Sequence, residues 1–431
     1  MKTRLILFFL LCSILTYAQL DLNLGPDWNF TGVGARAAGM GGAFIGVADD
    51  ATAISWNPAG LTQLDKPEAS IVGRGLAEVY EVDFNYWAET YEDEHGILNF
   101  LSGVYPFEFY GKQFVAALGV QRQLDLYSYY HDEYFYEGIG GSFAEYVYET
   151  FSEGGASTIT LGLAHRMASI LSFGVAANLW VGEAYFESND MVNENLADSI
   201  YYWDYHDRSD LTFSGVNFVC GAMLDFNYKN NPTPLRIGIV VKTPFDLAVD
   251  EEFFMEEYAN EGGIIYEPDP VESSNSYALG MPLIFGLGVS YRLGDNLTLA
   301  IDVESRKFGD TTLKEDYADL TGNDEEIIME NLDLNQFRFG AEYLFTEIWD
   351  FAVVPLRFGG KSLPTLFQNL DEEQVIGAAF SFGTGLITDQ YSMDISFENS
   401  AFEIDRKISD DDGFIYTKTV NTLTLSCIYY F

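Results

Sequence analysis

The chain predicts an all-β fold: a 14-stranded antiparallel transmembrane β-barrel with an N-terminal hatch, or plug, of short helices inside the lumen. Three observations carry that expectation. Beyond residue 67 the dominant pattern is period-two alternation, with acids in mid-strand on the face opposite the apolar one. Connections between the alternating runs are short and long by turns. Finally, 16% aromatics and 40 glycines make a strand-and-turn composition, while no stretch after the N-terminus nears the roughly 20 apolar residues of a membrane helix. A sheet can enter lipid only if it closes on itself, because hydrocarbon offers no partner for an open edge.

The elements follow in chain order. Residues 1–18 read as a secretory signal: Lys2 and Arg4 precede the apolar run Leu5 to Leu15, and Thr16-Tyr17-Ala18 suits cleavage before Gln19. The Leu10-Leu11 pair before Cys12 is a poor context for lipid attachment. Residues 19–66 form the expected hatch. Its stretch from Gly34 to Leu61 is crowded with Gly and Ala, which lets a backbone pack closely in a confined space. Asp49 and Asp50 can open a short helix, and Asn57-Pro58 reads as an N-cap followed by proline in the first turn.

Residues 67–431 supply the barrel. Its fourteen strands are expected near 68–76, 97–106, 112–123, 156–167, 171–183, 211–228, 235–245, 279–292, 297–306, 335–345, 351–360, 374–383, 390–398 and 417–431. The even count places both chain ends on one side. Links at 107–111, 168–170, 229–234, 294–296, 346–350 and 384–389 are short, whereas 124–155, 184–210, 246–278 and 307–334 read as long loops. Outer-membrane barrels have short periplasmic turns and long external loops, and a soluble sandwich has no reason to sort loop lengths by parity. Aromatics near strand ends, including Tyr127 to Tyr130 and Tyr201 to Trp203, suit membrane interfaces.

The formal charge of −44 excludes nucleic acid as a partner, since phosphates would be repelled. Much of it lies in the expected external segments; Asp246 to Glu272 holds many acids and no Lys or Arg, and reads as a solvated loop. Cys220 and Cys427 fall on different strands as small hydrophobes. The histidines, His95, His131, His165 and His206, belong to no ligand motif, and no nucleophile elbow appears. No catalytic residue, metal or cofactor is expected. Arg236, Lys242, Arg292, Arg338 and Arg357 have inward parity, as do Asp302, Glu304, Glu342, Asp394 and Glu398. Two readings stand: these groups pair with one another and with the hatch through Arg36, or one cation receives a ligand carboxylate.

The blocks Gly39-Met40-Gly41-Gly42-Ala43, Ala48-Asp49-Asp50-Ala51 and Asn57-Pro58-Ala59-Gly60-Leu61 resemble, in order and spacing, the hatch of the FadL-type outer-membrane transporters. The resemblance implies an outer-membrane barrel, exported by its cleaved signal, that captures long-chain fatty acids or other hydrophobic molecules and releases them sideways into membrane lipid. It places Asn57, Pro58, Ala59 and Gly60 at the gate beside a wall opening. The kinked wall strand would be 112–123, where Gly119 is the candidate bulge. Leu20, Leu22 and Leu24 would reach the ligand pocket. The terminal Phe431 resembles the signal read by barrel-assembly machinery. A second branch, the PorV-like barrels of the type IX secretion system, shares a related hatch and implies a shuttle for protein cargo instead.

Overall fold

The computed structural model describes residues 32–83, 88–137, 142–196, 199–226, 233–315, 325–328, 332–407 and 413–431. The first wall strands are β1 (Glu68–Asp83), β2 (Ala88–Phe109) and β3 (Lys112–Arg122). β4 (Ser128–Glu137) follows, then the long strands β5 (Phe143–Ala168), β6 (Leu171–Leu196) and β7 (Ser199–Asp225), and β8 (Leu235–Lys242). Next come β9 (Phe245–Glu261), β10 (Ile264–Tyr266), β11 (Val271–Met281), β12 (Ile284–Leu293) and β13 (Leu297–Arg306). β14 (Thr312–Glu315) and β15 (Glu325–Ile328) precede the last five: β16 (Leu334–Trp349), β17 (Ala352–Gln368), β18 (Gln374–Ile387), β19 (Tyr391–Lys407) and β20 (Gly413–Tyr430).

Fourteen of these strands close into one antiparallel ring, as the alternation predicts. β3 pairs with β5, β8 with β12 and β13 with β16, and β20 returns to pair with β1. β4, β9, β10, β11, β14 and β15 extend the wall on its outer side. The outward face is an apolar belt: Leu161, Val175, Phe218, Ile301 and Phe337 are all more than half exposed, as lipid-facing residues must be.

The expected loops 124–155, 184–210 and 246–278 are largely strand. β5, β6 and β7 run for 26, 26 and 27 residues, against the roughly 9–11 that cross a membrane. Tyr, Phe and Val continue to alternate with acids beyond the belt, and every added residue finds a ladder partner. β9 pairs with the first half of β7 and with β11. Pro244 and Pro282 mark where the wall hands over to this extension, since proline has no N–H for the ladder. The expected strand 279–292 therefore begins in the wall at Ile284, after the proline. The expected strand 211–228 ends at Asp225, and residues 227–228 lie outside the described residues.

The topology is open to test. An epitope inserted between Gly262 and Gly263, the left-handed turn joining β9 to β10, should be reached by antibody on intact cells. One inserted at Gly294, in the β12–β13 turn, should be reached only after the outer membrane is opened. Reversed accessibility would contradict the assignment of sides.

Candidate functional site

The lumen is filled by the hatch, whose helices Ala35–Gly39 and Ala53–Trp56 and 3-10 helix Pro58–Gln63 are each only one or two turns long. Short helices have little stability alone, so the wall must hold them. Asp50 accepts from the backbone N–H and hydroxyl of Thr52, and Asn57 caps the 3-10 helix by accepting from Ala59 N–H at 3.1 Å. The Asn57 amide also donates to the carbonyls of Ile45 and of Ala222 on β7, both at 3.2 Å. Asp302 of β13 takes the N–H groups of Phe44 and Ile45 at 2.7 and 2.8 Å. Ser290 on β12, Ser381 on β18 and Ser426 on β20 bond further hatch backbone groups, to Gly46, Gly41 and Ala35.

Such close seating requires a wall without side chains. A Cβ on Gly174, Gly221, Gly238, Gly288, Gly340 or Gly359 would come within 2.1–2.5 Å of a hatch atom. These glycines lie on β6, β7, β8, β12, β16 and β17, so they gird the plug over a large arc. The Asn57–Gly60 turn rests on the β6–β8 part of that girdle. Ala51 and Ile54 are the hatch residues behind β2 and β3: Ser102 donates to Ala51 O at 3.1 Å, and Ile54 Cγ2 lies 3.7 Å from where a Gly119 Cβ would be.

Most of the inward charges are paired. Arg357, fully buried, meets Glu342 at 2.7 Å and Asp394 at 2.6 Å. Arg36 bridges the hatch to the wall through Glu342 at 2.9 Å and holds Asp49 at 2.6 Å. Arg338 and Arg306 share Glu304, at 3.0 and 2.7 Å, and Lys361 holds Glu398 at 2.9 Å. Arg236 binds Asp49 and Asp225. Lys242 lines the lumen near Glu304. Arg292 does not join them: it is exposed at the end of β12 and donates to Asp295 O in the turn. Buried charges are costly unless paired, and this layer supplies the pairs.

Above the hatch lies a cavity of about 40 Å³. Ile54 and Ser55 of the hatch line it together with Phe100, Gln121, Phe245 and Met281 of the strands. Its polar groups satisfy each other: Asn178 and Trp180 both donate to Asn217, at 3.0 and 2.9 Å. An apolar cluster that includes Trp180, Phe213, Leu247, Leu279 and Met281 continues outward from it. The cavity is well below the ~300 Å³ lower bound of a small-molecule pocket. On the lipid-facing side, a groove of about 430 Å³ runs over β20, β1, β2 and β3 past Ile71, Leu101, Leu118, Gly119, Val120 and Tyr429.

Cavity and groove share one stretch of wall. Phe100 and Gln121 are cross-strand partners and face inward, whereas their neighbours Leu101 and Val120 are partners that face the groove. Next to them stand Ser102 and Gly119, also paired, so this wall is thin in side chains. Gly119 carries no bulge: its ladder is continuous on both sides. The irregularity falls in β2 instead, opposite Val72/Gly73, where both Asn99 and Phe100 turn inward. β3 itself breaks only after Arg122. Leu20, Leu22 and Leu24 lie outside the described residues.

Sequence reasoning missed the glycine girdle and the role of Asp302 as a seat for hatch amides. The signal was present as glycines at inward parity, such as Gly286 and Gly288 between Phe285, Leu287 and Val289. No family model matches the chain, and no curated protein matches it. Solved structures do. A Pseudomonas aeruginosa FadL homologue aligns with a TM-score of 0.62 at 13% identity, over 93% of this chain and 98% of that one. The P. putida toluene transporter TodX gives 0.58 at 13% identity, over 94% and 99%. The Ralstonia pickettii toluene transporter TbuX gives 0.52 at 13% identity, over the same shares. The fold is that of the FadL/TodX-type outer-membrane barrels.

Proposed function

We propose that this protein passes hydrophobic molecules across the outer membrane, from the external mouth to the cavity above the hatch and then sideways through the wall at β2–β3. The observation that carries the reading is the wall shared by cavity and groove. An apolar molecule gains about 0.8 kcal/mol per CH₂ by staying out of water, so a route through Gly119 into lipid is favoured over one through the polar, ion-paired hatch. The bulge that turns Phe100 inward supplies a side chain whose rotation would join the two spaces. The toluene transporters of the same fold agree with a hydrophobic cargo. Ile54 and Ala51 back this window; the Asn57–Gly60 turn seats the hatch on β6–β8, farther round the same part of the wall, and acts on the window through Ile54.

Gly119→Trp tests it. The new side chain would start 3.4 Å from Phe100 Cε2 and fill the space between Phe100 and Ile54. Uptake of a labelled long-chain alkyl probe, normalised to heat-modifiable folded protein, should fall to the level of cells lacking the protein. Gly103→Ala, at an outward position with nothing within 4 Å, should leave uptake unchanged. Wild-type uptake in Gly119→Trp would remove the lateral route. A protein-cargo shuttle would use the projecting external sheet instead, and cargo secretion would then be indifferent to Gly119.

A further inference from the structure

We propose that the external extension binds a calcium ion on the inner face of β5, β6 and β7, through Thr150, Ser188, Asp190 and Asp207; this goes beyond the transport reading and does not rest on it. The four residues come from segments that polarity alone reads as loops, and only strand register brings them together. Thr150 is the cross-strand partner of Ser188, and Ser188 is the partner of Asp207. Asp190 stands two residues along β6 from Ser188 and so shares its face. Ser188 is thus flanked by oxygen: a hydroxyl on one side, a carboxylate on the other and a second carboxylate on its own strand. Burial identifies the face as the inner one. Thr150 and Ser188 are 8% and 3% exposed, and Phe213, which shares the face of Asp207 on β7, is 1% exposed. Asp204, Arg208 and Asp210, of the opposite parity, are exposed.

The oxygens of this group are not used by the chain. Ser188 Oγ and Asp190 Oδ1 are both buried with no hydrogen-bond partner. Neither Asp190 nor Asp207 enters an ion pair among the described residues. His206, beside Asp207 in sequence, turns to the outer face, where Glu187 and Glu256 hold it at 3.0 and 3.4 Å. A buried hydroxyl without a bond is costly, and so are two carboxylates brought together without a counter-charge. A cation seated over Ser188 relieves both. Directly opposed side chains of a sheet lie about 4.5–5.5 Å apart at Cβ and diagonal ones about 7–8 Å, so a single ion can reach all four. Bidentate carboxylates offer four oxygens and the hydroxyls two more, which meets the lower end of calcium's roughly six to eight oxygen ligands. The set holds no nitrogen or sulfur, which favours a hard cation. Among the described residues no three His, Cys, Asp or Glu side chains form a metal centre; here the hydroxyls stand in for a third acid. A strongly acidic surface also concentrates divalent cations around it.

The test uses the whole protein in phosphatidylcholine nanodiscs, with calcium chloride as the probe in calorimetry and Tb³⁺ as its luminescent stand-in. Tb³⁺ is excited through tyrosine, and Tyr205 is the direct partner of Asp190. One Ca²⁺ per chain should bind with a Kd of about 10⁻⁴–10⁻³ M, the range of extracellular calcium modules. Asp190→Asn/Asp207→Asn should abolish binding, and Ser188→Ala, which removes one oxygen and no charge, should weaken it several-fold. Asp204→Asn, on the outer face of β7, should bind as wild type does. Calcium should also slow proteinase K cleavage of the β6–β7 hairpin in the wild type and not in the double variant. Heat-modifiability confirms that each variant is folded. Binding that survives unchanged in the double variant would put the ion on other acids, and no saturable binding in the millimolar range would remove it. Either result overturns the proposal and leaves the transport reading untouched.

Discussion

Gly359→Val should unseat the hatch and open the barrel to polar solutes. A Cβ at this position would lie 2.1 Å from Gly41 N and Met40 C, and at Gly221 it would lie 2.1 Å from Asn57 Oδ1. The atoms met at Gly359 are backbone, so no rotamer change relieves the clash. Overpacking a filled interior costs about 1–3 kcal/mol per site, occasionally more, and the double variant Gly221→Val/Gly359→Val strains the plug from both sides. The wall ladder does not depend on these side chains, so the barrel should still assemble and remain heat-modifiable. Conductance in planar bilayers should be near zero for the native protein and large for the double variant, and cells should become sensitive to hydrophilic antibiotics. Gly103→Val adds the same bulk to open space on the outer face and should change neither readout. Native-like conductance in the double variant would show that the hatch is not held by close approach to the wall.

Arg357→Met should give the largest loss of stability of any single replacement in the lumen. It leaves Glu342 and Asp394 facing each other without their shared cation in a site sealed from solvent. Removing one partner of a buried ion pair costs about 3–5 kcal/mol, because the remaining charge is stranded. The temperature at which the barrel loses its fast-migrating folded form should drop sharply. Arg357→Met/Glu342→Gln/Asp394→Asn should recover much of that loss, since no unpaired charge remains. Below the melting range, uptake per folded molecule should match wild type in both variants. A selective loss of uptake with stability intact would instead make Arg357 a receptor for a ligand carboxylate.

The ring of strands was legible because a wall between lipid and a polar lumen must alternate at every position, and the turn at the periplasmic end must be short. Met393, Ile395 and Phe397 against Asp394 and Ser396 need no structure to be placed. The extension was not legible, because Tyr, Asp and Glu read as loop residues when counted by polarity alone. Only the cross-strand partners, such as Tyr201 with Glu261, show that their backbone is paired. Inward parity found Arg338 and Arg357 but could not choose their partners, since pairing depends on register between strands far apart in sequence. Parity misled at Arg292, where the strand ends and the side chain swings to the turn. At Gly119, the glycine marked the thin wall, but the bulge lies across the ladder in β2, where Asn99 carries no such signature.

A hydrophobic molecule is expected to move from the cavity to the lipid through the β2–β3 wall. Photolabelling with a long-chain alkyl diazirine in native membranes, read by peptide mapping, tests it most directly. Such a probe will mark the lipid-facing belt in any barrel, so the decisive positions are those facing inward. Adducts on Ile54 and Phe100, lost in Gly119→Trp and competed by unlabelled alkane, are the expected result. Adducts spread over Phe173, Phe218 and Phe337 on the outer belt, with none on Ile54 or Phe100, would contradict the account.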